Sequence, residues 1–155
     1  CESIKQGLVT AGVPGRKIEV IYSGTDLARF HPGVDGGGIR AELGLAHDHY
    51  LVTQVGMRSW RGNDDVLDAM VHVHAAAPHC RLLFVGAPPP RIVSTMEKAR
   101  ARGIGVVSVL GHREDIPQVL AGSDLVVDAS YAGLGLTGSL REALASIRRL
   151  KTLLC

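Results

Sequence analysis

LVTQVGMRSWRG, residues 51–62, is the stretch whose reading decides the fold. Leu51 to Val55 is uncharged and rich in apolar and β-branched side chains, the pattern of a strand buried on both faces. Arg58 to Asn63 follows as a polar loop. Asp64 to Ala77 then places Val66, Leu67, Met70, Val73 and Ala77 at helical spacing, with Asp64 and Asp65 in the first turn, where carboxylates suit the helix dipole.

Downstream the same unit repeats. Arg81–Val85 reads as a strand ended by Gly86, and Pro88–Pro90 leads into a helix over Ile92–Arg102. Val106–Leu110 is a strand closed by Gly111, Ile116–Ala121 a short helix, Leu125–Val127 a strand and Thr137–Leu150 a helix. Upstream, Glu2–Ala11 reads as a helix with Ile4, Leu8 and Val9 on one side, followed by a turn over Val13–Gly15 and a strand over Ile18–Tyr22. Thr25 or Asp26 starts a brief helical turn. Gly33–Gly38 has the composition of a linker, and Ile39–Leu43 is a short helix ending at Gly44.

Strands alternating with helices at this spacing predict an α/β fold: a Rossmann-like parallel sheet with helices on both faces. The expected strand order is 106–110, 81–85, 51–55, 125–127. It reverses between the last two, and ligands in such sheets bind at the carboxyl ends beside that reversal. The facing loops are Gly56–Gly62 and Ala129–Gly138.

The 155 residues are 46% hydrophobic and 21% charged, as expected for one soluble domain. A net charge of +2 and an aromatic content of 4% give no footprint for nucleic acid. Three scattered cysteines, Cys1, Cys80 and Cys155, are no disulfide framework and point to a reducing cytoplasm. No apolar run has the length of a transmembrane span, and no signal-peptide pattern opens the chain. Cys1 begins mid-pattern, as a fragment would.

ASYAGLGLTGSLREALA, residues 129–145, leaves a strand through three glycines and enters a helix. Glycines let amides approach a ligand, and a helix N-terminus favours an anion. Gly133, Gly135 and Gly138 have G-x-G-x-x-G spacing, but after the fourth strand; a dinucleotide fingerprint follows the first. In the facing loop, Arg58 and Arg61 have no adjacent acid, and Trp60 lies between them. They are either a diphosphate clamp or solvated loop charges. Glu142 is either a capping-box partner of Ser139 or an acceptor for a ribose diol. GHRED, 111–115, sits at the carboxyl edge, where its backbone can border a base, with Asp115 as a helix N-cap. His72, His74 and His79 read as a solvated helix face, with no Cys or carboxylate to complete a metal site. Neither a Ser–His–Asp set, a glycosidase carboxylate pair nor a Walker loop is present. A flavodoxin-like receiver reading lacks the acidic cluster expected after the first strand.

Taken in order, these blocks resemble the retaining glycosyltransferases of the two-Rossmann-domain (GT-B) type, family four. IYSGTDLARFHP is similar to the family's interdomain segment and VGMRSWRGNDDVLDAM to its V-G-R-L-x-x-x-K-G block. RLLFVG and GHREDIPQVLAGSDLVVDAS are similar to the next two, and GLGLTGSLREALA to its E-x7-E region. The resemblance runs to Ala145.

It implies roles residue by residue. Arg58 and Arg61 would hold the donor diphosphate, with Gly133 and Gly135 beside the phosphates and sugar. Glu142 would bind the ribose, and His112, Arg113 and Glu114 would border the base. The donor is a nucleotide sugar, used as substrate; no metal or other cofactor is implied, and the acceptor (glycan, lipid or small molecule) is unspecified. Residues 1–34 would be the tail of an N-terminal acceptor domain plus the interdomain linker. Residues 35–155 would be a partial donor domain, truncated after about residue 145, since SIRRLKTLLC does not follow the family pattern. Such a fragment is expected to lack transferase activity alone. The implied setting is glycan biosynthesis in the cytoplasm, with peripheral contact at the inner face of a membrane open to the full enzyme. The pattern departs where Ala132 replaces the first Glu, where Met57 takes the usual Arg place and where Arg61 replaces Lys. A reading of another class is a non-catalytic nucleotide-binding or interaction module, or an inactive relic.

Overall fold

β-Branched and apolar runs bounded by glycines form four strands, β1 (Tyr50–Val55), β2 (Cys80–Val85), β3 (Val107–Leu110) and β4 (Leu125–Val126). They form one parallel sheet in the order β3-β2-β1-β4, as the alternation of elements predicts. The computed structural model describes residues 1–131 and 136–146. Its helices are α1 (Glu2–Thr10), α2 (Gly37–Glu42), α3 (Asn63–Ala76), α4 (Pro89–Ala101), α5 (Ile116–Gly122) and α6 (Gly138–Ser146).

Side chains alternate across a strand, so the apolar run of β2 must find cover on both faces. Leu82 and Phe84 pack with Val66, Leu67 and Met70 of α3 and Ala99 of α4. Leu83 and Val85 turn the other way, against Ile39 of α2 and Val119 of α5. Phe30 joins Leu120, Val126 and Ala143 in a third cluster that seats α6 beside β4. The polar pair in β1 is buried too. Thr53 shares a 2.7 Å hydrogen bond with Ser123, whose hydroxyl donates to Val119 O. Gln54 serves the loop beyond the strand, described below.

Two sequence expectations are corrected. Ile18–Tyr22 forms no strand. Its β-branched side chains suit a sheet, yet among the described residues no strand lies alongside to pair with it, and Ile21 remains 82% exposed. The glycine run at 33–38 is not simply a flexible linker. Gly37 and Gly38 open α2, and Gly36 lies backbone to backbone on Gly122 of α5. A Cβ on Gly36 would fall 2.1 Å from Gly122 N. The turn at Asp26 forms as expected, its carboxylate accepting the N–H of Ala28 at 3.0 Å. The final helix is described to Ser146 rather than Leu150; Ile147 to Cys155 lie outside the described residues.

Candidate functional site at the strand-order reversal

β1 and β4 are neighbours, so their carboxyl ends deliver the loops after Val55 and Val126 to one place. Gly62 makes that closeness permissible. It has φ +61°, and a Cβ there would lie 2.3 Å from Ala129 O. Buried Gln54 then holds the first loop from below. Its Nε2 donates to Arg61 O at 2.6 Å and to Asn63 Oδ1 at 3.2 Å. Asn63 donates in turn to Arg58 O at 3.0 Å. Tyr131 joins the second loop to the first: its N–H donates to Trp60 O and its hydroxyl to Ser59 O at 2.6 Å.

Trp60 does more than fill space. The Arg58 guanidinium carbon lies 6.0 Å from its ring centroid and that of Arg61 4.8 Å, both within cation–π range. The two cations nonetheless differ. Arg61 does have an acid partner, Asp128, at 2.8 Å, which corrects the expectation drawn from its sequence neighbours. Both side chains are largely buried, 13% and 9% exposed. Asp128 also accepts from the hydroxyls of Ser130 and Thr137 and from Ser130 N–H. Burial disfavours its charge, but the hydroxyl donors, the amide and Arg61 outweigh that and hold the carboxyl below its usual range. Arg58 is exposed, and its guanidinium has no acid partner among the described residues. Met57, in the place where the family pattern has Arg, is buried in the core under the loop.

The start of α6 is capped by Thr137, whose Oγ1 accepts the Leu140 N–H at 3.4 Å. Ser139 lies inside the helix, so the capping-box reading of Glu142 is set aside. The Glu142 carboxylate is half-buried and carries no hydrogen bond among the described residues. Burial raises its pKa, while Arg141 and Arg29 pull against that rise. Arg29 is a residue that motif reading missed. Its guanidinium also donates to Glu114 O at 3.4 Å, linking Glu142 to the loop after β3.

In that loop His112 and Glu114 are exposed, at the edge where a base would lie. The Arg113 side chain is engaged in ion pairs. It pairs with Glu42 of α2 at 2.6 Å and Asp115 at 2.7 Å, and these carboxylates keep it firmly charged. Asp115 therefore does not cap α5 with its side chain, as expected, but is occupied by Arg113, which lowers its pKa. Gly133 and Gly135 lie outside the described residues.

The histidine reading needs one amendment. His79 does meet a carboxylate, Asp48, at 2.9 Å, with His49 nearby. These residues flank the starts of β1 and β2, the edge opposite the glycine loops. Arg81 faces His49 Nε2 at 2.9 Å and the Ala46 N–H faces Nδ1 at 3.1 Å, so both ring nitrogens meet N–H donors rather than space for a cation.

The site is thus a pair of cations on one loop, a helix N-terminus on the next and a carboxylate one turn in, suited to a phosphorylated polyol. Residues 49–148 match the family model for glycosyl transferases group 1, and the chain belongs to that family. It is 34% identical over 131 residues to a D-inositol 3-phosphate glycosyltransferase of Rhodococcus erythropolis, covering 78% of this chain and 29% of that one. A Segniliparus rotundus enzyme of the same name is 40% identical over 90 residues, covering 54% of this chain and 20% of that relative. The fold is similar to that of Anabaena Alr3699/HepE in complex with UDP, with a TM-score of 0.78 and 26% identity, over 91% of this chain and 40% of that one. The chain thus spans between a fifth and two fifths of the length of these proteins. Its sheet is the Rossmann-like α/β sheet of GT-B glycosyltransferases. No helix of the described residues is long and apolar enough to cross a membrane.

Glu142 gives a prediction in which stability and binding part company. Its folded pKa lies above the unfolded value, so its ionisation on folding opposes stability as pH rises through that range. Glu142→Gln is expected to raise the melting temperature at pH 7, and the gain should vanish below about pH 4, where the unfolded carboxyl is protonated too. Scanning calorimetry across pH checks this; a lower melting temperature at pH 7 contradicts it.

Proposed function

We propose that the chain holds the diphosphate and ribose of a nucleotide-sugar donor, a UDP-sugar in the first instance, for transfer with retention of configuration. The observation that carries this is Arg58, an exposed guanidinium without an acid partner among the described residues, set against Trp60 on the loop whose Arg61 reaches Ser139 at the start of α6. Arg58 takes the diphosphate charge directly. Arg61, shared with Asp128, lends the loop its shape and part of its field. Glu142 accepts from the ribose diol, and the backbone of His112–Glu114 borders the base. Gly133 and Gly135 complete the phosphate loop in this reading. As the glycosidic bond breaks, negative charge grows on the departing diphosphate, and fixed cations with helix amides stabilise it without a metal requirement. Anabaena Alr3699/HepE, solved with UDP-glucose at a TM-score of 0.77, supports the choice of base. In this reading residues 1–34 belong to an acceptor domain and its linker, and the full enzyme acts in the cytoplasm on a glycan, lipid or small-molecule acceptor.

Isothermal titration with UDP, GDP and ADP tests the proposal. UDP is expected to bind, and Arg58→Ala and Glu142→Gln should each weaken it about tenfold, the scale of one charge-assisted contact. A folded chain that ignores all three nucleotides, or binds UDP equally in both variants, rules the reading out.

A further inference from the structure

Between the N-terminal half of α3 and the helix α4, and bordered by Ser59 and Gly62 of the Trp60 loop, lies a cavity of about 270 Å³. Its walls include Asp64, Asp65, Arg91, Thr95 and Lys98, with Tyr131 at the rim. Thr95 is 5% exposed and faces the cavity, where its hydroxyl makes no hydrogen bond with the described residues. The side chain lines the cavity, and its hydroxyl can take a partner that enters there. The charges of the lining cancel. Lys98 is taken by Asp64, its Nζ 2.9 and 2.7 Å from the two carboxylate oxygens. Asp65 and Arg91 remain, neither with a side-chain partner among the described residues. An anion would meet two carboxylates here, and a cation a guanidinium and an ammonium.

We propose that this pocket binds a neutral sugar ring, at a site separate from the nucleotide site. A pyranose presents hydroxyls that both donate and accept, alongside an apolar C–H face. Asp65 accepts from a diol; Arg91, the Thr95 hydroxyl and the first-turn amides of α3 donate to one. Tyr131 offers its ring, 72% exposed and held in place by its hydroxyl bond to Ser59 O, as a face for the C–H surface. The volume falls just short of the usual range for small-molecule sites, so it suits one ring rather than a nucleotide. The site does not depend on the donor reading, because none of its polar groups is one assigned to the diphosphate or ribose.

The test is amide NMR on the full chain, titrated with methyl α-D-glucopyranoside and methyl α-D-mannopyranoside, with and without UDP. At least one glycoside is expected to give saturable shifts at Asp64, Asp65, Arg91 and Thr95, and UDP should leave them in place. Arg91→Ala should weaken that binding about tenfold and Thr95→Val about fivefold, as expected for one charged and one neutral hydrogen bond. If Thr95→Val fails to fold, Arg91→Ala, at a half-buried position, decides. No saturable shift with either glycoside, unchanged affinity in Arg91→Ala, or shifts produced by inorganic phosphate alone would overturn the proposal. Absence of UDP binding with the glycoside shifts intact would count against the donor reading only.

Discussion

Asp128→Ala is expected to cost about 3–5 kcal/mol of stability, the range for removing one partner of a buried ion pair. The reason lies in what it leaves behind. Arg61 is 13% exposed in its side chain, and its Nε already has no partner. Without Asp128 its charge stays buried and unpaired, and the hydroxyls of Ser130 and Thr137 lose their shared acceptor. Chemical denaturation of the wild type, Asp128→Ala, Arg61→Met and the double variant measures this. The double variant should be more stable than Asp128→Ala alone, because no uncompensated charge remains. A loss below about 1 kcal/mol in Asp128→Ala would mean the pair is as weak as a surface one. The pH dependence has a definite sign. The folded pKa of Asp128 is lowered, so its contribution is fully present above the unfolded value of about 3.9 and is lost as pH falls through the folded value below it. The stability difference between wild type and Asp128→Ala should shrink in that acid window and stay flat from pH 5 to 8.

Gly36→Ala is expected to cost about 3 kcal/mol or more, the upper end for overpacking. Here the clash is with backbone, not with a side chain that can rotate away. The new Cβ would stand 2.1 Å from Gly122 N and 2.4 Å from Ala121 C. Relief requires α2 to lift from α5, which opens the cluster of Ile39, Leu83, Val85 and Val119. Gly38→Ala is the control: nothing lies within 4 Å of a Cβ there. The pair is read by melting temperature, and equal effects at both positions would contradict the close helix contact.

Neither effect is legible in the chain. Asp128 lies 67 residues from Arg61, and in sequence it is only the last residue before a glycine-rich loop. The GGG run at 36–38 has the composition of a linker, and composition does not distinguish a glycine kept for flexibility from one kept for close approach. Gln54 reads as one polar residue in a strand; its role under the Trp60 loop appears only when that loop folds back over it. Nothing in GHRED shows that the Arg113 side chain pairs with Glu42, which α2 brings across to it. Ile18–Tyr22 had strand-forming side chains, but a strand needs a neighbour, and local propensity does not supply one.

What the sequence determined by itself was the ladder of strands and its order. Alternating apolar runs and amphipathic helices leave few ways to build a parallel sheet with right-handed crossovers, and the reversal beside β1 follows from that order. That order puts Arg58, Arg61 and Glu142 at one edge of the sheet. Only the tertiary structure decided what each of them is free to do. Charge pairing depends on distances between segments far apart in the chain, and those are set by how α2, α5 and α6 seat on the sheet. The seating gave Arg61 an acid, gave Arg113 two, and left Arg58 with none among the described residues.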